Sequence, residues 1–256
     1  MSLCGRNLQD LLKFVPKKRF TPRTTFYLGT QILTAIQAVH VIGYLHRDIK
    51  PSNFAMGLRE DAQKVYLLDF GLARSYIDSS TGELKEARDY VGFRGTLRYA
   101  APPVHQHRDS GRRDDVWSMY YMLVEFLQGK LPWYGVKDKP KVARMKDRFQ
   151  LKAYMTDQDP EIVNLLQKFE DHLHTLRFKS GPDYILLGQL MAYPPVEEDN
   201  NIQLDWEEDR AYEAGRSTRP RRRSSLFRRL VESIRSTQTS FKMKKNEEEE
   251  GERAKE

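Results

Sequence analysis

His46-Arg47-Asp48-Ile49-Lys50-Pro51-Ser52-Asn53-Phe54, followed downstream by Asp69-Phe70-Gly71, is the stretch on which the reading of this chain turns. It sets a carboxylate (Asp48), an amine (Lys50) and an amide (Asn53) close together on one segment, with a second carboxylate (Asp69) further on. These residue types in this order suit the movement of a phosphoryl group. Such a transfer needs little covalent help but much positioning and charge neutralisation. Asp48 is placed to accept the proton of a hydroxyl acceptor and to orient it. Lys50 can neutralise a transferring phosphate. Asn53 and Asp69 are hard oxygen donors, suited to Mg²⁺, which keeps several waters and bridges phosphates.

Outward from this stretch the local patterns are clear. Phe54 to Gly57 reads as a short strand, and Lys64 to Asp69 (KVYLLD) as a second, rich in Val, Tyr and Leu. Leu58 to Gln63 fits the loop of a hairpin between them. That hairpin would hold Asn53 and Asp69 near each other on one rigid element. Upstream, residues 21–43 read as a helix. Thr21 can cap it, Pro22 suits its first position, the apolar residues recur at helical spacing, and Gly43 offers a stop. Downstream, residues 75–98 are polar and aperiodic, which predicts a long functional loop. Val116 to Leu127 (VWSMYYMLVEFL) is apolar nearly all round, as in a helix buried at the centre of a helical domain. Further helices are expected at 6–14, 139–153, 159–175 and 182–192. The fold class is therefore mainly α with one small β-hairpin.

The chain has 256 residues, 39% apolar and 31% charged, a polar balance that leaves part of the length outside a packed core. A single cysteine excludes a disulfide scaffold and a multi-thiolate metal site. No apolar run is long enough to cross a bilayer, and no secretory signal opens the chain. The expectation is a reduced, cytoplasmic protein, with the nucleus as an alternative. The net charge of +7 is uneven: residues 216–245 carry +10 and residues 246–256 carry −4, which leaves +1 for residues 1–215. A body this near neutrality has no field calling for nucleic acid. The tail reads as mostly disordered. Within it, Leu226, Phe227, Leu230, Val231 and Ile234 mark a candidate amphipathic helix over 224–236, with a basic face. Such a helix can dock on an acidic membrane surface, an acidic partner or calmodulin, or fold back as a pseudosubstrate. Ser224 and Ser225 follow an Arg run and would, as phosphosites, subtract from that charge.

The H-R-D-x-x-x-x-N loop with a following D-F-G is the signature pair of protein kinases. The longer motifs narrow the resemblance. RDIKPSNFAMG, LLDFGLAR and GFRGTLRYA (Gly92 to Ala100) resemble the casein kinase 1 group of Ser/Thr kinases. GRRDDVWSMYYMLVEFLQGKLPW (Gly111 to Trp133) is similar to its tau-tubulin kinase branch. The resemblance implies an ATP- and Mg²⁺-dependent kinase. Asp48 would be the catalytic base, Lys50 would sit at the γ-phosphate, and Asn53 and Asp69 would bind metal. Asp115 would hold the backbone of the catalytic loop, with His46 and Arg47 in support. Residues 69–103 would be the activation segment. Arg98 and Lys137 would line an anion pocket, pointing to acidic, pre-phosphorylated or cytoskeletal protein substrates, with the kinase as a monomer.

The resemblance also implies a boundary. It sets Met1 at the gatekeeper and Ser2 to Cys4 at the hinge, with Leu3 and Cys4 offering backbone groups to adenine and Ala55 beneath it. No G-x-G-x-x-G loop and no V-A-I-K lysine is found. The expectation is thus a C-lobe without the N-terminal β-lobe: residues 1–5 a hinge remnant, 6–210 the lobe, 211–256 the tail. Three accounts compete: a truncated ordinary kinase, a catalytically dead form acting as a binding module, and a lobe that transfers phosphate slowly. Where many kinases read A-P-E, this chain reads Ala101-Pro102-Pro103. His105 and His107, His172 and His174 lack a zinc pattern and read as surface histidines. Cys4 reads as a passive thiol, and Trp117, Trp133 and Trp206 as packing residues.

Overall fold

The computed structural model describes residues 4–193 and 202–207. Leu3 and the tail, with its candidate helix and serines, lie outside the described residues. In chain order the elements are α1 (Leu8–Phe14), α2 (Pro22–Val41), β1 (Tyr44–Leu45), β2 (Phe54–Met56), β3 (Val65–Leu67), β4 (Arg74–Ser75), α3 (Pro102–His105), α4 (Arg112–Gln128), α5 (Lys139–Asp147), α6 (Leu151–Tyr154), α7 (Pro160–Thr175) and α8 (Tyr184–Leu190). Among the described residues no helix is long and apolar enough to cross a membrane.

α4 is the centre of the core, as its nearly all-round apolar surface predicts: every residue from Asp114 to Leu127 is buried. α2 and α7 pack against it, and α8 closes over both α2 and α7. The α2 contact is close because Gly29 has no side chain there. A Cβ at that position would come within 2.9 Å of Met191 Sδ and 3.1 Å of Leu123 Cδ2. The entry to α2 follows its sequence signals. Thr21 caps it by accepting the Thr24 N–H, and Pro22 opens the first turn. Asp205, far along the chain, then accepts from Thr21 N at 2.6 Å and from the hydroxyls of Thr21 and Thr24 at 2.7 Å each. Gly43, at φ +83, turns the chain after the helix. Trp117, Trp133 and Trp206 are all buried packing residues.

The hairpin forms as predicted, but β2 ends one residue early, and β3 starts one residue late and ends two residues early. β2 and β3 are antiparallel, with Phe54 opposite Leu67, Ala55 opposite Tyr66 and Met56 opposite Val65. Residues 5–7 add to the far side of β2. Gly5 N donates to Met56 O at 2.7 Å, Met56 N donates to Arg6 O at 3.1 Å, and Asn7 bridges Ala55. This pairing delays the first helix, expected from residue 6, to Leu8. Asn7 caps it by accepting the Asp10 N–H at 2.9 Å.

Two expectations need correction. The expected 139–153 helix is two helices, α5 and α6, because the chain breaks at Arg148 to Gln150. Phe149 leaves the helical path to pack edge-on against Trp133 and Tyr154, with ring centroids 5.5 and 5.7 Å away. The expected 75–98 loop starts inside a second, two-stranded sheet, where Tyr44 pairs with Ser75 and Leu45 with Arg74. Strands of two residues have no alternation to read.

Asp114, in the first turn of α4, brings a pH-dependent cost. Its Oδ2 accepts the Gly111 N–H at 2.7 Å, but Arg113 Nε stands 3.8 Å from Oδ1, beyond hydrogen-bond reach. Burial pushes the carboxyl up to about 7. The folded protein therefore keeps a proton that the unfolded chain releases at about pH 4. The stability carried by that proton is complete below the unfolded value and is lost as pH rises through about 7. Asp114→Asn keeps an acceptor for Gly111 and cannot ionise. It is expected to stabilise the fold by ~1–3 kcal/mol at pH 8 and hardly at all at pH 4. Urea unfolding at the two pH values checks this; an equal gain at both would contradict it.

Candidate active site

The loop from His46 to Asn53 connects β1 to β2 and is held from below by α4. Asp115 is buried, and both of its oxygens accept from the loop backbone. Oδ2 takes the His46 N–H at 2.7 Å and Oδ1 takes the Arg47 N–H at 2.8 Å. His40 of α2 adds Nε2 at 3.0 Å from Oδ2, and Tyr184 of α8 contacts the other ring nitrogen of His40. Burial pushes the Asp115 carboxyl up, but the hydrogen bonds from His40, His46 and Arg47 together outweigh it and hold it below the usual carboxylate value. This clamp holds Arg47 at φ +66, a left-handed conformation that costs a non-glycine residue about 1–3 kcal/mol. Arg47 Nε then reaches Leu72 O at 2.7 Å, and His46 Nε2 lies 3.0 Å from Leu68 O, so both side chains tie the loop to the chain around Asp69.

Asp48 is where the polar contacts converge. Lys50 Nζ is 2.5 Å from Oδ2, and the Thr96 hydroxyl donates to Oδ1 at 2.7 Å. Asn53 Nδ2 donates to the Asp48 carbonyl at 2.9 Å, with Oδ2 at 3.5 Å. Asp48 is 8% exposed, so these partners set its orientation. Asp69 lies two residues beyond β3, at φ +61, and is exposed; its Oδ1 accepts the Gly71 N–H at 3.2 Å. Leu68 N donates to Asn53 O at 2.8 Å, so the hairpin brings the Asn53 and Asp69 segments side by side. Phe70 stacks edge-on against His46 at 5.1 Å. The donor set fits Mg²⁺. The Asn53 amide turns its nitrogen towards Asp48, leaving its carbonyl oxygen as the acceptor, and Asp69 supplies an accessible carboxylate.

The other expected residues have these surroundings. Ala55 is 2% exposed, between Asn7 and Tyr66, and Cys4 is half-buried beside this edge. Arg98 is half-buried. Its guanidinium pairs with buried Glu125 at 3.1 Å and lies over the Tyr134 ring, 4.4 Å from its centroid. Burial pushes the Glu125 carboxyl up, opposed by Tyr99 and Arg98. Lys137 is exposed. The histidines have structural partners: His105 meets Lys146, His172 accepts from Asp183 N, and His174 packs on Trp117. An open groove of about 570 Å³ is lined by Lys141, Arg144, Arg148, Phe149 and Tyr154 and holds none of these residues. Thr96, His40 and Glu125 carried no sequence signal of their own, since each acts through a partner far along the chain.

A catalytic-loop carboxylate with an amine and an amide on it, a D-F-G beside a two-stranded hairpin, and a buried helical aspartate beneath are the arrangement of a protein kinase. The model of the protein kinase domain family matches residues 1–202, and the chain belongs to that family. A probable serine/threonine-protein kinase of Dictyostelium discoideum is 41% identical over 210 residues, covering 81% of this chain and 41% of that relative. The chain therefore spans less than half the length of that relative. The family match also corrects the expectation of a domain lacking its first half. The match begins at residue 1.

Proposed function

We propose that this chain transfers the γ-phosphoryl group of ATP to serine or threonine hydroxyls of proteins, in the manner of the casein kinase 1 group and its tau-tubulin kinase branch. The observation that carries this reading is the convergence on Asp48. A buried carboxylate is fixed by Lys50, Asn53 and Thr96, and Asp115 clamps the backbone of His46 and Arg47 just before it. Asp48 orients the acceptor hydroxyl and takes up its proton. Lys50, whose ammonium already lies on Asp48, offsets charge at the transferring phosphate. Asn53 and Asp69 would hold Mg²⁺, which neutralises the phosphate oxygens when bound. Positioning and charge placement are the main contributions such a site makes. Acidic or pre-phosphorylated proteins, on the resemblance at Arg98 and Lys137, and cytoskeletal proteins, on that of the Gly111–Trp133 motif, are the proposed substrates.

Labelled phosphate transfer to casein tests the reading. The wild-type chain is expected to label casein with MgATP. EDTA and, separately, Asp69→Asn are expected to reduce labelling at least about a hundredfold. Equal background from wild type and Asp69→Asn would leave only a binding module.

A further inference from the structure

The mechanism leaves unused one buried cation, Lys146 on α5, which is 5% exposed. Its ammonium meets no carboxylate within ion-pair distance among the described residues. Its three N–H groups meet three acceptors: Ala100 O at 2.6 Å, Leu97 O at 3.1 Å and His105 Nε2 at 3.2 Å. The rings of Tyr121 and Trp133 flank it, 4.7 and 5.2 Å from the ammonium. Trp133 Nε1 donates to the carbonyl of Arg98 at 2.7 Å, so three backbone carbonyls of one loop are held by α5 and the segment after α4.

That loop bears directly on the site. It follows Gly95, which is at φ +86 and packs so close to the catalytic loop that a Cβ would sit 2.5 Å from Arg47 O. It then places the Thr96 hydroxyl on Asp48. At its other end come Ala101, Pro102 and Pro103. The two prolines have no N–H to donate, so carbonyls are what remains to anchor the backbone there. A methionine would fill the volume of Lys146 with no charge to desolvate, whereas burying an ammonium costs several kcal/mol unless its hydrogen bonds are met. Here burial pulls the Lys146 amine well below the usual lysine value, and the contacts that oppose this cost are the two loop carbonyls and His105. Burial, then the Lys146 charge, lower His105 to about 4, which keeps the ring neutral and able to accept.

We propose that Lys146 is a positioning residue for the transfer reaction: by gripping the carbonyls of Leu97 and Ala100 it fixes the loop that sets Thr96 on Asp48 and carries the acceptor peptide. This rests on the kinase reading for its effect on rate, but the tether is a property of the fold and is measured separately. In Lys146→Met, amide hydrogen exchange in the stretch 92–104 is expected to quicken about tenfold or more, while exchange in α4 stays as in wild type. In the same variant, kcat/KM for a protein substrate is expected to fall about ten- to a hundredfold with the KM for MgATP unchanged. Unchanged exchange over 92–104 overturns the tether. Faster exchange with an unchanged kcat/KM overturns the positioning role. A wild-type chain that labels no substrate would sink the kinase reading alone, and the exchange result would still decide the tether. If Lys146→Met fails to fold, as α4 exchange would reveal, Trp133→Phe removes one donor to the same loop and is expected to quicken the same stretch to a smaller degree.

Discussion

Asp48→Asn is expected to lower kcat for phosphoryl transfer roughly a thousandfold, about 4 kcal/mol of barrier, with little change in nucleotide binding. The amide has nearly the shape of the carboxylate. It can still accept from the Thr96 hydroxyl, and Lys50 is partly exposed and can turn to water. What it cannot do is take a proton from the acceptor hydroxyl. The loss is therefore predicted in kcat rather than in the KM for MgATP. Steady-state transfer to casein, with nucleotide affinity measured alongside, checks this. A variant that keeps more than a tenth of wild-type kcat would remove Asp48 from the proton path.

Asp115→Asn is expected to be the most damaging single substitution for stability, at about 3–5 kcal/mol, or roughly 10 °C in Tm for a domain of this size. Both carboxylate oxygens face backbone N–H donors, and His40 is a third partner. An amide must turn its NH₂ towards one of those N–H groups, setting donor against donor in a buried place. The freed N–H then loses its partner without gaining water. Because the same contacts hold Arg47 in its left-handed conformation, the loop that carries Asp48 should relax as well. Urea and thermal unfolding read the stability, and kcat should fall with it. A variant within about 1 kcal/mol of wild type would show that the clamp is not what holds the loop.

The site and the fold were legible to different depths. Asp48, Lys50, Asn53 and Asp69 stand at a short fixed spacing along the chain, and a hairpin of ordinary strands is enough to bring them together. The helices α2, α4, α7 and α8 were legible because each buries one face, or in α4 every face, and burial leaves a period in the sequence. The partner of Arg98 was not legible: Glu125 holds its guanidinium, and a glutamate inside an apolar helix gives no hint of what it will meet.

The order of residues alone thus determined which chemistry the chain carries, because reactive groups close in sequence must lie close in space, and which segments wind into helices, because periodicity is a local property. The tertiary structure alone decided which charges are buried and what meets them. Lys146 reaches carbonyls far upstream, His40 reaches Asp115 across two helices, and Thr96 returns from a long irregular segment to Asp48. The cost of burying an ion depends on neighbours that only folding assembles, so no pattern along the chain could announce them.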